Sequence, residues 1–336
     1  LGTQELRDTV IARWRRRWKE NGDLFLRGVQ KRRPRSGKQT LQIGEIKLEK
    51  PMEDMQEYYF ISGKRLYQMG GMDGTYPPSG RLLGDQSGIW THPIKIMDGF
   101  YYTIEEEGSQ QWKLTDCHDF IHELASCKFH FCRNDLNIIR EDIVLENEPA
   151  LFSSLSLHNE TDRNRHITVN FSGQVNLRPG WRTGFANGLD ILEYWDGKIT
   201  AFDSSMAERW AVAFGSDQSP SSYSIEDNTG RLSYVIDLPP SGDLTLTFLI
   251  LGEHELGVEK VQSNFEYFLE QRDELISQRQ HTYSEALFGE PQFTCSDEQV
   301  SNAFRFAKAN IMMPVSYTHL RAHETSLHLV CRLLLE

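Results

Sequence analysis

Two histidines in the middle of the chain have a spacing that metal sites use. His118 and His122 are four residues apart, with acidic residues beside both. On a helix this interval brings two imidazoles to one face, and helical zinc proteases combine it with a glutamate directly after the first histidine. Here that position is Asp119, and the neighbouring Phe120 and Leu124 favour a strand, in which residues four apart lie about 13 Å apart. We therefore interpret the histidines as a surface or half-buried pair and predict no metal site.

A second histidine pair lies in a C-terminal stretch that differs from the rest of the chain. His319 and His323 could present two imidazoles on one helical face, but no third ligand and no helix cap accompany them. Residues 316–325 and 328–336 back-translate without strain to the two ends of a transposon-based sequencing-library adapter. The pieces share one frame, and the gap between them has the length of a sample index. We predict that residues 315–336 are translated adapter and assign no function to either histidine.

The stretch from Gln68 to Trp90 predicts a long loop. A long ordered loop in a compact domain is often functional. In the structural alternative, Trp90 and Tyr101 fill a protein core, while Asp-Gly dipeptides at Asp73 and Asp98 close turns. The residues that interrupt a strand pattern are Gly70, Gly71, Gly74, Gly80, Pro77 and Pro78. The aromatic and hydrogen-bonding residues in or just after the loop are Asp73, Tyr76, Trp90, His92 and Asp98.

The charge balance argues against a general nucleic-acid-binding protein. The net charge is -12, whereas binding to phosphates needs a positive surface. One segment, from Arg13 to Lys38, is strongly basic, with only two acidic residues. It is interpreted as the solvated face of a helix and hairpin, with a patch for an anionic partner as the alternative.

The sequence predicts neither a membrane span nor a cysteine-ligated metal site. No run of about eighteen apolar residues occurs, so no membrane span is predicted. The chain begins with Leu1 rather than Met, which leaves localisation open, with the cytoplasm favoured. The cysteines before the C-terminal stretch have neither zinc-ligand spacing nor the density of a disulfide framework, so we expect reduced core thiols.

Strands must position most of these residues. Between Leu41 and Leu251, short alternating runs are separated by turn residues, which predicts strands. Turns are predicted at Asn134-Asp135, at a polar hairpin tip from Asn159 to Asn164, and around Pro239 to Gly242. Many short strands without long intervening helices imply an antiparallel sandwich or supersandwich.

Helical patterns lie on both sides of this β-rich region. Residues from Asp8 to Glu20 have the apolar spacing of a short amphipathic helix. A second helical region runs from Gly257 to Phe288, and a further helix is predicted after Ser296, whose hydroxyl would cap it. The apolar faces of these two helical regions are Val258, Val261, Phe265, Phe268, Leu269 and Leu275 in the first, and Val300, Phe304, Ala307 and Ile311 in the second.

One long segment resembles a known enzyme family. The sequence QMGGMDGTYPPSGRLLGDQSGIWTHPIKIMDGFYYTI, from Gln68 to Ile104, is followed by HNE at His158 and by RPGW at Arg178. Together they resemble the N-terminal domain of bacterial glycogen-debranching or amylo-α-1,6-glucosidase-like proteins, of the six-hairpin glycosidase type. Such proteins are similar to glucoamylases in joining a β-supersandwich, through linker helices, to an (α/α)6 barrel. The likeness covers about residues 55–313.

The resemblance implies a mainly β fold, an antiparallel β-supersandwich followed by a linker helix and the truncated start of an (α/α)6 barrel. The expected divisions are a basic N-terminal helix and linker at 1–40, the supersandwich at 41–253, the linker helix at 254–290, the first barrel helix at 291–314 and the adapter-derived segment at 315–336. In such enzymes the general acid and general base are carboxylates in barrel loops. No catalytic residue is therefore assigned here, and the chain by itself is expected to be inactive.

The resemblance also implies a substrate and a role for the predicted loop. The parent protein would be a glycoside hydrolase acting on α-glucosidic linkages of an oligo- or polysaccharide, debranching or glucoamylase-like, with no cofactor. The loop would face the barrel mouth, so the sandwich would contact the barrel within one chain. The side chains expected to hydrogen-bond to and stack on glucosyl rings are Asp73, Tyr76, Trp90, His92 and Asp98.

Two alternatives stay open. The first is a stand-alone carbohydrate-binding β-sandwich, which would have no need of the amphipathic helices after Gly257. The second is a fragment of a disaccharide phosphorylase, which has the same two-part architecture and uses phosphate as the acceptor. Only residues of the barrel could exclude the second alternative.

Overall fold

The computed structural model describes residues 47–51, 57–77, 86–123, 126–180, 190–203, 209–289, 292–293 and 295–312. The basic helix predicted within residues 1–40 and the C-terminal stretch 315–336, with His319 and His323, lie outside the described residues.

Strands make up most of the described chain. In chain order they are β1 Lys47–Pro51, β2 Tyr58–Ser62, β3 Tyr67–Gly71, β4 Gly88–Thr91, β5 Ile94–Glu106, β6 Trp112–Lys113, β7 Asp119–Glu123, β8 Ser126–Arg133, β9 Leu136–Val144, β10 Ala150–Asn159, β11 Arg165–Pro179, β12 Ile191–Trp195, β13 Lys198–Phe202, β14 Ala211–Ser216, β15 Ser222–Glu226, β16 Thr229–Leu238 and β17 Asp243–Glu253.

These strands form two sheets in which the paired neighbours run antiparallel. The larger sheet has the order β1-β7-β8-β9-β10-β17-β14-β13-β12. The smaller sheet has the order β15-β16-β11-β5-β4-β3-β2, with β6 paired to β5. The two sheets pack face to face around a common core, which confirms the predicted mainly β, antiparallel sandwich.

Aromatic rings fill much of the space between the sheets. Phe171 of the smaller sheet stacks on Phe248 of the larger one, with ring centroids 4.6 Å apart, and Tyr102 meets both rings edge-on. Such pairs add about 0.5–1.5 kcal/mol to the stabilisation from burial alone. The aromatic richness of the sequence is therefore explained in large part by this core.

The predicted turn at Asn134-Asp135 is confirmed and joins β8 to β9. Both residues have positive φ, 51° and 57°. Two consecutive left-handed residues are the signature of a tight hairpin turn whose twist matches the flanking strands. Asparagine and aspartate tolerate this conformation better than most residues, because their short polar side chains bond locally.

The turn predicted from Asn159 to Asn164 is present, but it does not connect two strands of one sheet as predicted. It joins β10 in the larger sheet to β11 in the smaller sheet, so it is a connection between sheets and not a hairpin tip. The segment around Pro239 likewise joins β16 to β17 across the sandwich. Asn159, fully buried, ties the two connections together, since its Nδ2 donates to Arg163 O and Pro239 O at 2.8 Å.

Helix α1, Val258–Glu270, covers the outer face of the larger sheet. Its buried residues are Val261, Phe265 and Phe268, as the sequence predicted. They pack against apolar side chains of β14 and β17 in a second core cluster. The Lys198 ammonium of β13 forms an ion pair with Glu266 of the helix.

Two more helices follow, α2 at Arg272–Phe288 and α3 at Glu298–Met312. The start predicted for α3 was wrong by one residue, since Asp297 caps it through Oδ1, 3.5 Å from Val300 N, and not Ser296. In α2, Arg279 is completely buried and donates to Ser62 O at 3.0 Å and to Tyr283 Oη at 3.1 Å. No helix among the described residues is long and apolar enough to cross a membrane.

Candidate functional site

The region from Gln68 to Trp90, predicted to be a loop, begins and ends as strand. Gln68 to Gly71 belong to β3 and Gly88 to Trp90 belong to β4. The glycines misled the prediction because one of them is required by packing inside a strand. A Cβ on Gly70 would lie 2.9 Å from Cε1 of Tyr59, so only glycine leaves room for that ring.

Asp73 and Tyr76 belong to the turn after β3. Asp73 Oδ1 accepts hydrogen bonds from Thr75 N at 2.9 Å and Thr75 Oγ1 at 2.7 Å, so its carboxylate closes the turn. The Tyr76 hydroxyl points into the protein, where Gln68 Nε2 donates to it at 2.7 Å. Burial raises the pKa of Tyr76 to about 12. Both side chains therefore serve the local structure of the turn.

Beneath this turn lies an ionic pair between the sheets, which we call the inner pair, Arg140 and Asp142. Arg140 is 1% exposed and Asp142 0% exposed, and Arg140 Nε donates to Asp142 Oδ1 at 3.0 Å. The guanidinium lies over the rings of Phe100 and Phe129, 4.3 and 4.7 Å from their centroids. Ser153 Oγ donates to Asp142 at 2.6 Å. Side chains of β5, β8 and β10 thus enclose the pair.

A row of four side chains crosses the smaller sheet on its outer face. The strand register pairs Tyr67 with Trp90, Trp90 with Lys95 and Lys95 with Arg178. Paired residues of antiparallel strands point to the same side of a sheet. Ile94, which flanks Lys95, belongs to the core between the sheets, so the row points away from that core.

The Trp90 ring is the centre of this row. It stacks on Tyr67 with centroids 5.8 Å apart and an interplanar angle of 8°. The Arg178 guanidinium and the Lys95 ammonium lie 5.1 and 5.7 Å from its centroid. A tryptophan face attracts cations through its quadrupole. The structural alternative placed Trp90 in the core between the sheets, whereas the ring lies on the outer face of the smaller sheet. Trp90 is nevertheless only 5% exposed, so it offers little open ring surface.

Two opposed bulges place Asp98 beside this row. In the register of β5 with β11, Gly99 pairs with Gln174 and Met97 with Val175, which leaves Asp98 as the extra residue. A second irregularity in β11 follows immediately and contains Asn176. Asn176 Nδ2 donates to both Asp98 oxygens, at 3.0 and 3.1 Å. Bulges are frequent next to active sites because they redirect a side chain. Asp98 therefore does not close a turn.

The Lys95 ammonium joins Asp98 to the row. Its Nζ lies 2.6 Å from Asp98 Oδ1, and the lysine is completely buried whereas Asp98 is 33% exposed. Gly88, at φ 98°, makes this possible, because a Cβ there would lie 2.9 Å from Lys95 Cε. We call Tyr67, Trp90, Lys95, Asp98 and Arg178 the outer cluster. Its carboxylate is the part that a ligand could reach.

His92 lies at the edge of the outer cluster. Its ring is 5.2 Å from that of Tyr67 and 6.4 Å from that of Trp90. Burial lowers the pKa of His92, and the nearby His254 lowers it further. A neutral imidazole at neutral pH can both donate and accept hydrogen bonds.

Asp190 extends the acidic side of the same region. Its Oδ2 accepts a hydrogen bond from Leu177 N at 2.9 Å. Burial raises the pKa of Asp190 to about 6, and the hydrogen bond from Leu177 opposes this rise, while Asp203 and Asp98 add to it. Asp190 is 6% exposed, so its carboxyl group is poorly hydrated, and it lies near enough to Asp98 to feel its charge.

The structure therefore brings together three of the five predicted residues. Trp90, His92 and Asp98 meet around the outer cluster. Asp73 instead closes the turn after β3, and the Tyr76 hydroxyl accepts hydrogen bonds from Gln68 and from Arg140 of the inner pair. Sequence reasoning missed Lys95 and Arg178, although the alternation Ile94-Lys95-Ile96 indicates a lysine on the face opposite two core residues. It missed Asn176 because a bulge depends on the partner strand.

The first histidine pair is in a strand region, as predicted. His122 lies in β7 and His118 just before it. His118 Nε2 is 3.1 Å from Cys132 O, and His122 Nε2 is 3.1 Å from Phe60 O, so the two rings bond to different strands. Across the part of the chain that the structure describes, no three His, Cys, Asp or Glu side chains are grouped to hold a metal ion.

Comparisons with known proteins show a shared fold. No family model matches the sequence, and no curated protein matches it. Among solved structures, one provisionally described as a kojibiose phosphorylase from the human microbiome has a TM-score of 0.50 at 13% identity and covers 76% of this chain. A bacterial glucoamylase complexed with acarbose has a TM-score of 0.45 at 8% identity and covers 77%. The chain spans 35% and 41% of the lengths of these two proteins.

Proposed function

We propose that this chain forms the N-terminal, non-catalytic region of a glycoside hydrolase that acts on α-glucosidic linkages, of a debranching or glucoamylase-like kind. The catalytic carboxylates would lie in an (α/α)6 barrel that begins with residues 291–314. The segment at 254–290, which forms α1 and α2, would be the connection between the sandwich and that barrel. The substrate would be an oligo- or polysaccharide.

The observation that carries this proposal is a sandwich with helices fixed firmly to it. Arg279 of α2 is completely buried and lies 3.4 Å from Glu146 Oε2, and Lys198 holds α1 through Glu266. A sandwich that only bound carbohydrate would have no need of them. The likeness to the structure with a TM-score of 0.50 includes most of this chain and supports the same arrangement.

Within this proposal, the outer cluster supplies sugar contacts. Asp98 can accept hydrogen bonds from sugar hydroxyls, while Asn176 and Lys95 hold its carboxylate in place. The His92 ring borders the cluster through its contacts with Tyr67 and Trp90. Trp90, which is 5% exposed, would act chiefly by positioning Lys95 and Arg178. Asp73 and Tyr76, both engaged in the turn, would hold the strands that carry the cluster rather than touch sugar.

Calorimetric titration with maltotriose tests the role of the cluster. We expect Asp98→Asn to weaken one binding event about tenfold, because it removes a charged acceptor. The matched control is Glu123→Gln. Glu123 is a half-buried acid in the larger sheet, and its Oε1 lies 2.9 Å from Nζ of Lys128 in the same sheet. Unchanged binding in Asp98→Asn, or an equal loss in the control, would remove the cluster from the proposal.

A second experiment tests whether catalysis requires a barrel beyond the sandwich. The chain as given should not hydrolyse maltose, isomaltose or glycogen above a buffer blank, and measurable hydrolysis would overturn the proposal.

Reading the source gene beyond residue 313 should reveal alternating helices with paired carboxylates. A stop codon there would favour the stand-alone binding module, and independent libraries would show whether residues 315–336 recur.

A phosphorylase is the second candidate, and one comparison favours it. The structure with a TM-score of 0.50 is described as a kojibiose phosphorylase. The extended protein would then cleave a disaccharide only when inorganic phosphate is present. Cleavage that is independent of phosphate would exclude this candidate and support the hydrolase.

A further inference from the structure

The strand that carries Asn176 loses its neighbour just before that residue. β11 pairs with β16 only as far as Gln174, which lies opposite Thr229, the first residue of β16. Beyond this point β16 offers no acceptor to the backbone N–H groups on that edge of β11. Buried N–H groups in folded proteins nearly always have an acceptor. Groups outside β16 must therefore accept these hydrogen bonds.

Two residues outside the strands supply the acceptors, Asn228 just before β16 and Asp190 just before β12. The backbone oxygen of Asn228 accepts from Val175 N at 2.8 Å. Asp190 Oδ2 accepts from Leu177 N at 2.9 Å. Asn228 Oδ1 in turn accepts from Asp190 N at 3.1 Å, which joins the two acceptors to each other. We call Asp190 and Asn228 the edge clamp.

The edge clamp holds β11 on both sides of Asn176. Val175 and Leu177 are 2% and 1% exposed, and their side chains belong to the core between the sheets. Side chains alternate along a strand, so Asn176 between them points to the outer face. There its Nδ2 donates to both Asp98 oxygens, at 3.0 and 3.1 Å. The position of the Asp98 carboxylate therefore depends on backbone hydrogen bonds that the edge clamp accepts.

We propose that the edge clamp positions the outer cluster, because it holds β11 so that Asn176 keeps the Asp98 carboxylate in place for a sugar hydroxyl. A carboxylate accepts a stronger hydrogen bond than a neutral strand carbonyl does. Asp190 therefore fixes Leu177 firmly at the point where β11 has left its neighbour. Asp190 and Asn228 act through Asn176 and make no contact with the sugar themselves. This inference rests on the proposed function, in which the outer cluster binds sugar.

The first measurement is the side-chain amide NMR signal of Asn176 in the whole chain, assigned by its loss in Asn176→Ser. We expect Asp190→Ala to shift this signal toward that of a solvent-exposed asparagine and to speed its proton exchange, because Leu177 N loses its acceptor. Asp190→Asn keeps an oxygen acceptor at nearly the same volume and should restore most of the wild-type signal. Equal shifts in both variants would show that the charge of Asp190 acts on the site rather than its hydrogen bond, and would overturn the inference.

Calorimetric titration with maltotriose measures the consequence for binding. We expect Asp190→Ala to weaken the binding that depends on Asp98 about threefold to tenfold. Asn228→Ala removes the acceptor of Asp190 N and should act in the same direction, so it serves where Asp190→Ala does not fold. The control is Asn159→Ala, since Asn159 is also buried and accepts from Thr161 N at 3.1 Å, before the other end of β11. This control should lower the melting temperature and leave both the Asn176 signal and the affinity unchanged.

The outcomes separate this inference from the proposed function. If Asp98→Asn weakens binding but the clamp variants only lower the melting temperature, the edge clamp is purely structural and the inference is wrong, while the proposed function stands. If Asp98→Asn leaves binding unchanged, or the wild-type chain does not bind maltotriose, the outer cluster loses its role and the inference falls with it. An unshifted Asn176 signal in Asp190→Ala overturns the inference whatever the binding result.

Discussion

The inner pair and the outer cluster each contain a buried cation beside a carboxylate, yet they differ in what surrounds the acid. In the inner pair, both Arg140 and Asp142 are enclosed, and neutral hydrogen-bonding partners complete the set. In the outer cluster, Lys95 is enclosed but Asp98 is one-third exposed and sits on a bulge. The first arrangement specifies how the sheets meet. The second holds a charged acceptor in a fixed position that a ligand can reach.

The strongest test of this contrast is to break the inner pair. Arg140→Met would leave Asp142 buried without its cation, and we expect the free energy of unfolding to fall by about 3–5 kcal/mol. Urea denaturation measures this change. The control is the double variant Arg140→Met with Asp142→Leu, which removes both charges and should recover much of the loss. A single variant that loses less than about 1 kcal/mol would show that the pair is not desolvated as described.

The corresponding change in the outer cluster should have a smaller effect on stability. Asp98→Asn removes the carboxylate next to a buried ammonium, and we expect a loss of about 1.5–3 kcal/mol, reduced by the exposure of Asp98 to solvent. Urea denaturation again measures it, with Glu123→Gln as the control. A loss as large as that of Arg140→Met would mean that the outer cluster is chiefly structural.

The pH dependence of stability reports on the acid next to the outer cluster. The raised pKa of Asp190, about 6, means that the folded protein holds this proton more tightly than the unfolded chain. Its contribution to stability is complete below about pH 4 and is lost as the pH rises through 6, on the order of 2 kcal/mol in all. Asp190→Asn should remove this slope, measured as unfolding free energy between pH 4 and pH 7. An unchanged slope would contradict it.

A surface ion pair gives the smallest expected effect. Lys128 lies 2.9 Å from Glu123 and 3.5 Å from Glu141, with each partner partly exposed. Exposed pairs contribute about 0–1 kcal/mol because solvent screens them. Lys128→Met should therefore change the free energy of unfolding by no more than about 1 kcal/mol. A larger loss would mean that solvent exposure does not predict how much an ion pair stabilises this protein, which would undermine the comparison of Arg140 with Lys95.

Local patterns in the sequence predicted the strands well and the connections between them poorly. The turn at Asn134-Asp135 is fixed by two residues that accept positive φ, so its chemistry is visible in the sequence. The connection after Asn159 has equally clear turn residues, but which sheet the next strand joins depends on packing across the whole core. A one-dimensional pattern does not contain that information.

The site shows the same limit. The Asp-Gly dipeptide at Asp98 predicts a turn in the structural alternative, whereas in the structure Asp98 is the extra residue of a bulge opposite a second bulge at Asn176. Lys95 could have been found from its place between two isoleucines. Residue type favours Asp73 and Tyr76 as sugar contacts, but in the structure Asp73 Oδ1 already accepts from Thr75, and the Tyr76 hydroxyl from Gln68.

The pairing of β10 with β17 sets an order on how the sandwich can assemble. It joins Ala150 to Leu251 and His158 to Asp243, residues that are far apart in the chain. Such distant pairing slows folding, since a long loop must close before the contact is gained. During synthesis, the edges of β10 and β14 that pair with β17 have no partner until β17 has left the ribosome. The last strand is therefore the one that closes the larger sheet, and a nascent chain stopped before residue 243 would expose two adhesive strand edges.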